Sequence, residues 1–193
     1  MTNQTPVMVR TASGLDVPVC TIRPHHVRFC DIAHQLSAIN LFRGATLLPY
    51  SCAQHGLVVA AILEAGGANA SMQLAGLLSR AHEAYQDLNQ MTPAVRRLDL
   101  SQRIQNAVYT AAGLTDGPWW QPGALAMADK VAMAGVWRDL MTGPAPAHVS
   151  NVCPPFGIRP MRHDIAHETF ASTYRVLADL SGTSPLKGFD NGQ

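Results

Sequence analysis

The segment Ser79-Arg80-Ala81-His82-Glu83-Ala84-Tyr85 puts five polar or ionisable side chains inside an otherwise apolar, helix-patterned stretch. On a helix Ser79 and Glu83, four apart, share a face, and Arg80 and Glu83, three apart, can pair. Arginine keeps its charge and cannot ligate a metal. Its chemistry is therefore to neutralise a carboxylate or to hold an anion. Two residues elsewhere have the types to join it. His55 stands in the first turn of a helix, where backbone N–H groups and the positive dipole end favour an anion. Asp129 falls among Leu125, Met127, Ala128, Val131 and Ala132, so its carboxylate needs a partner, because burying an unpaired charge is costly.

The elements that must position these residues follow from periodicity and capping signals. Residues Val7 to Cys20 alternate around Ser13-Gly14 and suggest a short β-hairpin. A loop with His25 and His26 follows, and side chains at i and i+1 diverge, so a solvated or locally hydrogen-bonded pair is expected there. A first helix begins near Asp31 as N-cap, carries Ile32, Leu36, Ile39 and Phe42 at helical spacing, and ends at Gly44. His34 within it reads as a hydrogen-bonded structural histidine. Ser51-Cys52-Ala53-Gln54 is a capping box for a second helix, from Cys52 to about Ala65, which stops at Gly66-Gly67. Ser71 is the expected cap of a third helix running to about Asp87. Thr92-Pro93 opens a fourth, kinked near Asp99 to Ser101 and ending at Gly113. A Trp119-Trp120 loop leads to a fifth helix from about Ala124 to Met141. An irregular, proline-rich segment from Gly143 to Pro160 precedes a last helix from about His163 to Leu180, and the tail beyond it is expected to be mobile.

Bulk properties narrow the function classes. At 193 residues the chain can bury one sizeable core. With 14 basic and 13 acidic residues and no run of either sign, neither a nucleic-acid surface nor a polybasic membrane patch is expected. A pocket for one phosphorylated ligand is compatible with that balance. Cys20, Cys30, Cys52 and Cys153 show no metal spacing and read as free thiols of a reducing compartment. Met1 to Pro6 lack a signal core, and the longest apolar run, Gly56 to Leu63, is too short to span a bilayer, so a cytoplasmic location is expected.

Four segments, in order, resemble one family. They are Asp31-Ile32-Ala33-His34-Gln35-Leu36-Ser37, Pro49-Tyr50-Ser51-Cys52-Ala53-Gln54-His55, Leu77 to Tyr85, and Ala128-Asp129 through Arg138-Asp139-Leu140-Met141. Together they resemble the small HD-domain phosphohydrolases, which include bacterial 5'-deoxynucleotidases and phage deoxynucleotide triphosphohydrolases. The resemblance implies an all-α HD-domain bundle of about six helices with a short N-terminal β-hairpin, spanning residues 1–193 as one domain. In it 1–22 are hairpin and lead-in, 27–141 the helical core, and 142–193 the C-terminal loop and last helix.

The family holds a divalent metal through a histidine on its second helix, an adjacent His-Asp pair on its third and an aspartate on its fifth. His55 and Asp129 match the outer ligands, but Ser79-Arg80 stands where the His-Asp pair belongs. The resemblance further assigns Glu83 to a catalytic acid and Asp87 approximately to a second. Phe42 falls where the family has a nucleotide-holding aromatic residue, and Arg43 lies one place beyond the position of its nucleotide-holding arginine, where Leu41 stands. Val136 replaces a frequent glutamate. His163-Asp164 repeats the missing dipeptide outside the core, and a site rebuilt from His55, His82, Asp129 and His163 would need His82 to turn inward.

Three function classes follow. In the first, the metal site is degenerate and empty and the protein is catalytically silent or repurposed. Arg80 then replaces the metal's charge by pairing with Asp129, Glu83 or both, and a nucleotide or other phosphorylated small molecule binds through Arg80, Arg43, Phe42 and His82. No cofactor is implied. In the second, an active nucleotide phosphohydrolase uses Glu83 and Asp87 for protons and a weaker divalent metal (Mn, Co, Mg or Zn) on His55, Asp129 and His82. In the third, the chain is a non-catalytic oligomeric interaction protein with contact surfaces at Trp119-Trp120 and Gly143 to Pro160. A homo-oligomer, a dimer in the first instance, is the expected assembly.

Overall fold

The computed structural model describes residues 7–86, 94–114, 117, 120–149 and 151–183, with backbone alone at 94–98. It is a helical bundle with a two-stranded antiparallel hairpin, the all-α class expected. The hairpin pairs β1 (Met8–Arg10) with β2 (Asp16–Pro18) through Val9↔Val17. Its turn holds Gly14 at φ +82°, a left-handed angle that glycine adopts without steric cost. Val9 and Val17 face the core, and Arg10 pairs with Asp16 on the outer side at 2.7 Å.

The helices are α1 (Phe29–Ala38), α2 (Cys52–Ala65), α3 (Ala70–Leu77), α4 (Ala94–Ala111), α5 (Pro122–Leu140) and α6 (His163–Ser181). Helix α2 is apolar on nearly every side, which makes it a buried element. It packs against α3 and α5, while α6 lies across α1, α2 and α3. Phe29 of α1 stacks on Tyr174 of α6 with ring centres 4.3 Å apart, and both are buried among Ile32, Leu36, Leu77 and Phe170. A smaller apolar cluster, Val59, Leu63, Met72, Ala128 and Ala132, joins α2, α3 and α5.

The contact of α2 with α3 depends on Gly56. A Cβ at this position would overlap the Leu77 carbonyl oxygen, a backbone atom that no rotamer change can move. Gly56→Ala is expected to destabilise the fold by about 1–2 kcal/mol through that overpacking, read as a lowered midpoint in urea at unchanged slope.

Several boundaries differ from the sequence expectation, each time because a tertiary hydrogen bond wins. Helix α1 begins at Phe29, and Asp31 lies inside its first turn rather than capping it. The buried Asp31 carboxylate instead accepts from Ser13 N and Ser13 Oγ at 2.7 and 2.8 Å, tying the hairpin turn to α1. The helix ends at Ala38 and not at Gly44, because Ile39 and Asn40 turn extended and exchange backbone bonds with the segment before α2. Cys52 N donates to Ile39 O, and Leu41 N to Tyr50 O, both at 2.8 Å. Phe42 and Arg43 then sit in a tight turn at φ +53° and +54°, both left-handed although neither is glycine.

Ser51 caps α2 as expected, its side chain accepting from Gln54 N. The Gln54 side chain, however, does not complete a capping box. It donates to Arg159 O and accepts from Met161 N, binding the proline-rich segment, whose backbone has no ladder of its own. Arg138 and Asp139 of α5 hold the same segment through Pro154 O, Phe156 O and Ile158 N.

Helix α3 is capped by Asn69, whose side chain accepts from Met72 N, and not by Ser71. It ends at Leu77, ten residues before the expected Asp87, and Ala81–Tyr85 form a separate 3₁₀ turn. Helix α4 is continuous through Asp99 to Ser101, with Ile104, Val108 and Ala111 buried as expected. Helix α6 closes on Gly182 at φ +65°. Asp87, Thr92-Pro93, Trp119 and the tail after Thr183 lie outside the described residues.

Candidate functional site

The break after α3 shapes the site. Buried Gln105 of α4 holds it open by donating to Leu78 O at 2.9 Å while its Oε1 accepts from His82 N at 3.3 Å. The His82 amide, which a continuous helix would have bonded to Leu78 O, is thus paired across the fold, while Leu78 O takes Gln105 beside the Ala81 amide of the turn. The same Oε1 meets His82 Nδ1 at 3.0 Å, which makes Nδ1 the protonated nitrogen and orients the ring. Nothing in the α3 sequence signals this role for Gln105.

The bend turns Arg80 toward α5. Its Nη2 lies 3.6 Å from Asp129 Oδ1, and the same oxygen is 2.8 Å from His55 Nε2. His55 is fully buried in the first turn of α2, and its Nδ1 lies 3.4 Å from the hydroxyl of buried Tyr50. The partners select the tautomer: Nε2–H donates to the Asp129 carboxylate, and Tyr50 O–H donates to Nδ1. Both ring nitrogens are occupied, which leaves His55 no lone pair for base catalysis.

The electrostatics agree with a neutral imidazole beside an ionised carboxylate. Burial, aided by the Arg80 charge, pulls the His55 pKa below its ordinary value against the opposing pull of Asp129. For Asp129, burial works to raise the pKa. The His55 hydrogen bond and the Arg80 guanidinium overcome it and hold the carboxyl below the usual range. Asp129 is not sealed in the core as the sequence suggested. Its side chain is 35% exposed at the mouth of a cleft, and that of Arg80 is 26% exposed. Neighbouring Cys52 is pushed up to about 12, mainly by burial, so its thiol stays protonated and unreactive.

Arg80, His82 and Asp129 line a cavity of about 300 Å³. Its other walls are Ser79, Trp120 and the start of α5 at Pro122, Leu125 and Ala126. Ser79 Oγ is buried there with no hydrogen-bond partner among the described residues. Trp120 meets Tyr109 edge to face at 6.0 Å and turns its remaining surface to the cavity. The cavity therefore combines a guanidinium, a carboxylate, an imidazole and an indole.

The remaining expected residues fall elsewhere. Glu83 Oε1 lies 3.7 Å from His82 Nε2, beyond hydrogen-bond distance, and the expected Arg80–Glu83 pairing gives way to Arg80–Asp129. Phe42 packs edge to face on Trp137, and exposed Arg43 projects from the same turn, so neither lines the cavity. His163 lies against His34, so the His55, His82, Asp129 and His163 set does not assemble.

The donor set does not fit a divalent metal at His55 and Asp129. The two atoms that would ligate it face each other in a hydrogen bond, and a guanidinium occupies the adjoining side. Among the described residues no three His, Cys, Asp or Glu side chains converge on one point. No helix among them is long and apolar enough to cross a membrane. The four cysteines are unpaired. Set against known proteins, the chain matches no protein-family profile and no curated sequence.

Proposed function

We propose that the chain is a repurposed HD-type protein in which Arg80 stands in place of the metal, and that its cleft binds a phosphorylated ligand, a nucleotide in the first instance, without metal-dependent hydrolysis. The observation that carries this reading is the arrangement of His55, Asp129 and Arg80. Asp129 Oδ1 bridges a neutral imidazole and a cation, which balances the carboxylate and removes its repulsion for an anionic ligand. A guanidinium has five N–H donors in a planar fork suited to phosphate, and its contact with Asp129 occupies one edge. Trp120 gives a flat apolar surface for a base.

Titration calorimetry with a panel of nucleoside mono- and triphosphates tests the reading. Binding is expected, and Arg80→Gln should weaken it about 10–100-fold, since a charge-assisted phosphate contact is worth about 1.5–3 kcal/mol. Phosphate release from any of them with Mn, Co, Mg or Zn would establish the active-hydrolase alternative. Absence of binding across the panel would leave the interaction-protein alternative, and light scattering would then show whether the chain self-associates.

A further inference from the structure

Three histidines outside the cleft form a group of their own. His34 is on α1, and His163 and His167 are one turn apart on α6, four residues being the spacing that puts two side chains on one helix face. The ring centre of His34 lies 5.6 Å from that of His163 and 5.9 Å from that of His167, at interplanar angles of 84° and 77°. Neither His34 nor His163 is buried, so these rings serve no core. His34 thereby departs from the structural role its place in an amphipathic helix suggested. The backbones beneath are held fixed by the Phe29–Tyr174 stack, which locks α1 on α6.

We propose that His34, His163 and His167 form a binding site for one imidazole-preferring divalent transition-metal ion, with zinc as the reference case, which clips the first helix to the last. Two imidazoles on a tetrahedral zinc, with Zn–N of about 2.0–2.1 Å, place their ring centres about 5 Å apart. Both His34 separations are within an ångström of that value. The three sets of ligating atoms do not yet converge. Closing the gap takes side-chain rotation, which is open to these residues because they are exposed or half-buried on a rigid frame. His34 and His163 are exposed and His167 half-buried, so an ion reaches them from solvent, with water completing the fourth position.

The test is calorimetric titration of chelator-stripped protein with zinc chloride, with magnesium as a control. One zinc and no magnesium should bind per chain. His34→Ala and His167→Ala should each weaken zinc at least about tenfold, because even supporting partners of ligands are worth that much. Zinc should also raise Tm in the parent and not in His34→Ala, whose metal-free Tm matches the parent because the side chain is exposed. His26→Ala removes the nearest alternative pair, His25 with His26, and should change nothing. The proposal is overturned by an absence of zinc binding, by unchanged affinity in both cluster variants, or by loss confined to His26→Ala. Cleft variants such as Arg80→Gln should leave zinc binding unaltered, so this proposal and the nucleotide reading fail separately.

Discussion

Asp129→Ala is expected to lower the unfolding free energy by about 2–4 kcal/mol, the largest stability loss of any single cleft substitution. The cost comes from His55. This imidazole is fully buried, and removing the Asp129 carboxylate orphans its Nε2–H. An unsatisfied buried donor costs about 1–3 kcal/mol, and the freed Arg80 charge beside the cleft adds to it. Arg80→Ala has a much smaller effect, about 0–1 kcal/mol, because both members of that pair are partly solvated and Asp129 keeps His55. The sequence alone suggested a cost of roughly several kcal/mol for Arg80→Ala, because it placed Asp129 in the core with Arg80 as its partner. Chemical denaturation of the two variants and of the double variant separates the possibilities. Equal and large losses in both single variants would restore the sealed-pair view.

Stability is expected to fall steeply as pH drops below about 6.5. His55 is held below its ordinary pKa in the folded state by burial. In the window between the unfolded value of about 6.5 and the lower folded value, the unfolded chain binds a proton that the folded one refuses, so acid favours unfolding. Each pH unit in that window costs up to about 1.4 kcal/mol per group. Asp129 adds a second loss at lower pH. Its folded pKa is depressed, so the stability it contributes is present above the unfolded value of about 3.9 and disappears as pH falls through the folded one. His26 and His167 are also shifted down, each with burial as the main cause, and contribute in the same direction. Changing both to Gln should leave most of the dependence in place, since His55 is the fully buried one. Urea midpoints at pH 7.5 and 5.0 measure it. A double variant with no pH dependence in that range would refute the neutral, buried assignment of His55.

The same residues show how far the sequence could be read. Helix α2 was legible to the residue, from its serine cap to its paired glycines, because its signals are local: a side chain accepting from the third amide, an unbroken apolar run and a glycine stop. Helix α6 and its Gly182 stop were legible for the same reason, as was the hairpin around Gly14. The candidates His55, Arg80 and Asp129 could be singled out because charged and ionisable groups in apolar surroundings need partners, and they do meet.

What the sequence could not show was where longer-range partners interrupt local periodicity. The apolar pattern through Leu77 and Ala81 carries the third helix past Arg80. The chain bends there with Gln105, distant in sequence, bonding the His82 amide that the bend leaves open and bracing Leu78 O. Asp31 looked like a helix cap and Gln54 like half of a capping box, but these two buried side chains bond Ser13, Arg159 and Met161 instead. Sequence therefore determined which elements exist and which polar residues require company. Tertiary structure decided which company each keeps, because a buried donor or acceptor is satisfied by whatever the folded chain brings within reach, at any separation along it.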